Sequence, residues 1–198
     1  MYPLFESLCV QDGQLLNLQW HEDRFQNSYM KYYGNPSPFD LLEGLSIPAN
    51  FAHGKVKLRI LYNHQDRNFH FEHYQTQKIK SLKWVYTEKL DYSHKYIERE
   101  NLNALYTQKG ECDDVLIVKK GMITDSSYAN VVFFDGKDWW TPKTPLLKGT
   151  CRARLLHQGI INEVLLEVND IKNFKGLKLV NSLRDMDQRM IPIDNLVY

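Results

Sequence analysis

The segment TPKTPLLKGTCRARLL can do chemistry with its backbone alone. Gly149 precedes a short amphipathic stretch from Arg152 to His157, so Gly149, Thr150 and Cys151 sit at a helix start. Unpaired amides and the positive end of the helix dipole attract an anion there. Other reactive side chains read as ordinary when taken singly. Lys95 is a charge near a helix start, Arg24 a solvated helix charge, Asp125 a turn aspartate and Arg59 a strand arginine. His70 and His73 are three apart on a strand, so they face opposite sides and make a poor metal pair. No Walker loop, GxGxxG or GxSxG is present.

The elements that must position these groups alternate between β and α. Phe5 to Val10 is strand-like, Asp12-Gly13 is a turn pair and Leu15 to Leu18 continues the hairpin. His21, Phe25, Ser28 and Tyr32 are spaced for a helix from Trp20 to about Tyr33, stopped by Gly34-Asn35-Pro36. KVKLRILYN, Lys55 to Asn63, alternates as a half-buried strand, and Asn68 to Tyr74 and Ser81 to Tyr86 follow as strands. Ser93 is placed to cap a helix from His94 to about Gln108, with Ile97, Leu102 and Leu105 on one side. Val115 to Lys119 and Ala129 to Phe134 are β-rich and joined through a turn at Gly121. Asp135-Gly136 turns the chain into Trp139-Trp140, and Val164 to Val168 and Leu177 to Val180 are the last clear strands. This is an α+β pattern in two domains, 1–88 and 89–198, with the boundary near 86–93.

Composition narrows the function classes. A net charge of +1 argues against a general polyanion or nucleic-acid binder, so anion recognition rests on a few placed residues. The N-terminus lacks a signal-peptide pattern, and no apolar run approaches the roughly 20 residues of a membrane helix. Cys9, Cys112 and Cys151 are odd in number and unpaired in spacing, which suits a reducing cytoplasm.

The order of motifs resembles the class IV aminotransferase family, the pyridoxal-phosphate enzymes of fold type IV. FESLCVQDGQLLNLQWHEDRF is similar to the family's early hairpin and helix, with Arg24 at the arginine that binds the cofactor phosphate. YSHKYIERENL places Lys95 at the Schiff-base lysine. GMITDSSYANVVFFDG aligns Asp125, Ser126 and Asn130 with the stretch whose carboxylate pairs with the ring nitrogen. The family's usual residue there is glutamate, so the aspartate is one methylene short. Gly149, Thr150 and Cys151 fall on the phosphate-cradling glycine and amides, with cysteine where threonine is common. Asn181-Ser182-Leu183 and Arg99 are more similar to the 4-amino-4-deoxychorismate lyase branch than to the aminotransferases. Arg59 lies where branched-chain enzymes carry a substrate-carboxylate arginine.

The resemblance implies a two-domain α/β fold like that of the D-amino-acid and branched-chain aminotransferases, with pyridoxal 5′-phosphate between the domains. It implies a small amino substrate bearing a carboxylate, a homodimer, and 4-aminobenzoate and pyruvate as products. Two alternatives stay open: an aminotransferase acting on branched-chain or D-amino acids, and a catalytically silent scaffold built on the fold.

Overall fold

The structure, a computed structural model, describes all residues from Met1 to Tyr198. The chain forms two compact units, Met1–Thr76 with His94–Glu98, and Gln77–Ser93 with Arg99–Tyr198. The boundary therefore differs from the expected 88/89. The strand Leu82–Thr87 is paired in parallel with Asp114–Lys119 and joins the second unit, while the short segment carrying Lys95 returns to the first.

In the first unit, β1 (Leu4–Gln11) and β2 (Gln14–Leu15) form the expected hairpin, but its second strand stops at Leu15 instead of continuing to Leu18, which already opens a helix. Asp12 and Gly13 take positive φ of 49° and 75°, the pair that a tight, right-twisted hairpin needs. Helix α1 (Leu18–Tyr33) ends at Gly34, whose φ of 81° lets its amide donate to Met30 O at 2.9 Å. Strands β3 (Lys55–Tyr62) and β4 (Arg67–His73) complete a four-stranded antiparallel sheet in the order β2-β1-β3-β4. The alternation of β3 sends Val56, Leu58, Ile60 and Tyr62 into the core and leaves Arg59 on the other face. Phe25 and Tyr29 of α1 close that core, Phe25 meeting the Tyr62 ring edge-on at 4.9 Å. Each such aromatic contributes roughly 1.5–3 kcal/mol through burial.

The helix expected from His94 to about Gln108 forms only over Glu100–Tyr106, with Leu102 and Leu105 buried as expected. Residues 94–98 are irregular and held beside β1: Phe5 N donates to Lys95 O at 3.0 Å, Ile97 N donates to Pro3 O at 2.9 Å, and Leu4 bridges Tyr96. Pairing with a distant strand outweighs the weak local helix preference.

In the second unit the elements are β5 (Leu82–Thr87), α2 (Glu100–Tyr106), β6 (Asp114–Lys119), β7 (Met122–Ser126), β8 (Asn130–Phe134), β9 (Trp139–Pro142), α3 (Thr150–His157), β10 (Asn162–Val164), β11 (Gly176–Val180), β12 (Ile191–Pro192) and β13 (Leu196–Val197). They build a nine-stranded mixed sheet in the order β10-β9-β8-β7-β6-β5-β13, with β11 paired to β8 and carrying β12. Gly121 does turn the chain, but into β7, a strand absent from the sequence expectation. Lys120 and Gly121 at φ 51° and 79° close a β6–β7 hairpin. The strand expected at Val164 to Val168 lies earlier, at Asn162–Val164, and Val168–Asn173 winds into 3₁₀ turns. The core gathers Leu116, Val118, Val131, Phe133, Leu177 and Leu179. No helix is long and apolar enough to cross a membrane.

Candidate active site

The predicted residues group separately within each unit. In the first, alternation along β1 places Glu6 on the same face as Leu4, Leu8 and Val10, fully buried. A carboxylate there needs partners. Helix α1 supplies them from His21 and Arg24, three residues apart and so on one helix face. His21 Nδ1 lies 2.8 Å from Glu6 Oε2, while Arg24 donates through Nε to Oε1 at 2.8 Å and through a terminal nitrogen to Oε2 at 2.5 Å. Burial pushes the Glu6 carboxyl up, but the Arg24 charge and these hydrogen bonds win and hold it at about 2. Burial pushes His21 below its ordinary value, so at neutral pH the imidazole is neutral and donates to Glu6. Glu6 thereby fixes the plane of the Arg24 guanidinium.

On the other side of β1, two cations share one aromatic ring. The Arg59 guanidinium lies 4.3 Å from the Phe5 centroid, and Lys95 Nζ lies 4.8 Å from it. Arg59 Nε is buried without a hydrogen-bond partner. The Lys95 charge is near enough to His21 to disfavour a proton there. The first unit thus holds Arg24 against Glu6 on one side of β1 and Arg59 and Lys95 over Phe5 on the other. Sequence reasoning missed Phe5, Glu6 and His21, although a glutamate in phase with Leu4 and Leu8 was a legible signal.

In the second unit, Asp125 and Asn130 are the registered pair joining β7 to β8. Asp125 is buried; Asn130 Nδ2 donates to its Oδ1 at 2.7 Å, and the Leu146 and Leu147 amides donate to its Oδ2 at 2.8 and 3.1 Å. Burial outweighs these bonds and pushes the carboxyl up to about 6. The expected contact between Asp125 and a ring nitrogen must therefore contend with a carboxylate already gripped by three N–H donors. Ser126, expected to touch the cofactor, spends its hydroxyl on its own turn. It accepts from Tyr128 N at 3.4 Å and Ala129 N at 3.1 Å, and it also bonds Asp114. Asp114, a second buried carboxylate under the turn, also accepts from the Ser127 hydroxyl, and burial pushes its carboxyl up.

The same turn is held from both sides. Arg99 donates to Ser127 O at 2.6 Å with its guanidinium 4.2 Å from the Tyr128 centroid, and Asn181 Nδ2 donates to Tyr128 O at 3.1 Å. Ser182 follows, half-buried, in the turn that Asn181 Oδ1 closes by accepting from Leu183 N at 2.8 Å. Gly149 is the N-cap of α3, so the residue ahead of Thr150 and Cys151 has no side chain with which to cap the helix. Cys151 is buried, and burial pushes its thiol up to about 11, so it stays protonated. A cavity of about 880 Å³, lined by Lys78, Lys80, Arg184 and Arg189 among others, shares no residue with this constellation.

Each unit by itself holds groups of a kind that suits a phosphate-bearing aldehyde: in the first an amine on Lys95 and a preset guanidinium on Arg24, in the second the positive end of α3. Asp125 is the departure.

The sequence model described as amino-transferase class IV matches residues 3–189. A crystal structure from Haemophilus somnus 129PT, provisionally named 4-amino-4-deoxychorismate lyase, is 35% identical, with a TM-score of 0.87 over 94% of this chain and 98% of that one. One from Mesorhizobium loti, provisionally named an amino-acid aminotransferase, is 25% identical, with a TM-score of 0.82 over 97% and 98%. A hypothetical aminotransferase from Mycobacterium tuberculosis, solved in its PLP-bound form, shares the fold at 17% identity and a TM-score of 0.71, over 98% of this chain and 81% of its own. The chain belongs to the class IV aminotransferase family and has the fold of the type IV pyridoxal-phosphate enzymes.

Proposed function

We propose that the chain is a pyridoxal-phosphate-dependent lyase that converts 4-amino-4-deoxychorismate to 4-aminobenzoate and pyruvate. The observation that carries this reading is the convergence of Arg99 and Asn181, the two lyase-like positions, on the Ser127-Tyr128 turn. The name of the Haemophilus somnus relative supports it.

When bound, pyridoxal phosphate supplies an aldehyde for a lysine amine and a conjugated ring that accepts the electron pair of a broken Cα–H bond. Lys95 Nζ is the anchor and the base that takes the Cα proton. The family resemblance assigns a phosphate-binding role to Arg24, which Glu6 holds, and one to the amides of Gly149, Thr150 and Cys151. Asn130 sits beside that cradle, and Asn181 and Ser182 close it. Arg59, stacked on Phe5, takes a substrate carboxylate. The reading includes a homodimer, which rests on the family resemblance, and a reducing cytoplasm, which the three free, buried cysteines support.

The test is incubation of the cofactor-loaded protein with 4-amino-4-deoxychorismate and no keto acid. Release of 4-aminobenzoate and pyruvate is expected. Turnover only when a keto-acid acceptor is added would replace this reading with the aminotransferase one, which the Mesorhizobium loti relative favours. Retained cofactor with no turnover on any amine would leave a silent scaffold.

A further inference from the structure

Asp125 and Asn130 face each other across the β7–β8 pair, and both reach out of the sheet to one loop. Asp125 Oδ2 accepts from the Leu146 and Leu147 amides, and Asn130 Nδ2 spans Asp125 Oδ1 at 2.7 Å and Leu147 O at 2.9 Å. Gly149, two residues further on, packs so closely that a Cβ would collide with Asn130 Oδ1. The loop so gripped leads directly into Thr150, the first residue of α3. A carboxylate has roughly four lone-pair sites. Three are taken by donors that are themselves backbone or clamped side chain.

We propose that Asp125 is a positioning residue, a clasp that with Asn130 sets the 146–149 loop and hence the phosphate cradle, and not the partner of the cofactor's ring nitrogen. This rests on the reading of Gly149, Thr150 and Cys151 as that cradle. The aspartate's length is the physical reason. Its carboxylate stays close to β7, where the Leu146 and Leu147 amides lie, whereas a glutamate carries its oxygens one methylene further out. The departure from the family's glutamate is thus a change of job for the position.

Three probes separate the roles: pyridoxal 5′-phosphate, unphosphorylated pyridoxal and inorganic phosphate. A ring-nitrogen partner serves the first two alike and the third not at all; a clasp serves only the two that carry phosphate. In Asp125→Asn, affinity for pyridoxal 5′-phosphate and for inorganic phosphate should fall about tenfold or more, the scale of lost hydrogen bonds to a charged group. Affinity for pyridoxal should change less than about twofold. Asp125→Glu, which keeps the charge, should show the same phosphate-selective loss. Equal losses for pyridoxal and pyridoxal 5′-phosphate, or improved binding of both in Asp125→Glu, would overturn the proposal. Backbone exchange in the unsubstituted protein needs neither variant nor ligand. The Leu146 and Leu147 amides should be protected, and rapid exchange at both would overturn the clasp. Failure of the unsubstituted protein to bind pyridoxal 5′-phosphate would instead count against the proposed function, with the exchange result still judging the clasp.

Discussion

Arg24 and Glu6 meet through two parallel hydrogen bonds, 2.8 Å from Nε to Oε1 and 2.5 Å from a terminal nitrogen to Oε2, with the carboxylate wholly buried. The pair joins the helix that carries the candidate phosphate arginine to the strand that carries Phe5. Its geometry is bidentate, so it fixes orientation as well as charge.

Glu6→Gln leaves the Arg24 charge without its counter-ion, and the expected destabilisation is about 3–5 kcal/mol. Denaturant unfolding measures it, and a loss below about 1 kcal/mol would class the bridge with solvent-screened surface pairs. The pH dependence has a definite sign. The folded value of about 2 lies below the ordinary 4.5, so the stabilisation is complete above 4.5 and is lost as pH falls through 2. About 3 kcal/mol of stability should disappear over that window in the native protein, and Glu6→Gln should lack this component.

Gly149 has φ of −69°, which any residue adopts, so the obstacle to a side chain there is steric. Gly149→Ala should cost about 1–3 kcal/mol by forcing a Cβ against Asn130 Oδ1. Adding Asn130→Ala removes the obstructing atoms. The double variant should therefore lose less stability than the sum of the two single losses. Strict additivity in melting experiments would mean that Asn130 is not what excludes the side chain.

The Arg59 guanidinium lies over the Phe5 ring, with its Nε buried and unmatched. Arg59→Met should raise KM for a carboxylate substrate by about tenfold or more, the scale of a lost charge-assisted hydrogen bond. The affinity for pyridoxal 5′-phosphate should stay within about twofold, because the phosphate is assigned to other groups. Unchanged KM would remove Arg59 from the substrate site.

Much of this architecture was legible locally. Asp12-Gly13, the Gly34 stop and the alternation of Lys55 to Tyr62 each encode their structure within a few residues. What escaped was set by distant partners. Lys95 lies outside the helix because Pro3, Leu4 and Phe5 offer its segment hydrogen bonds, which no window around Ser93 reveals. Strand β7 was hidden because Thr124, Asp125 and Ser126 are polar yet buried, Thr124 bonded to Ile117 O, Asp125 to the Leu146 amide, and Ser126 to its own turn and to Asp114. The motif order pointed to Lys95, Arg24 and Arg59, but not to the Glu6 and Phe5 that hold them. It did not reveal that Asp125 is gripped by the loop leading to Gly149.

The most direct test of the central claim, a cofactor anchored on Lys95, is incubation with pyridoxal 5′-phosphate, borohydride reduction and peptide mapping. The label should fall on the peptide containing Lys95, and Lys95→Ala should remain folded while losing both label and turnover. A label on a different lysine, or full activity in Lys95→Ala, would contradict the account.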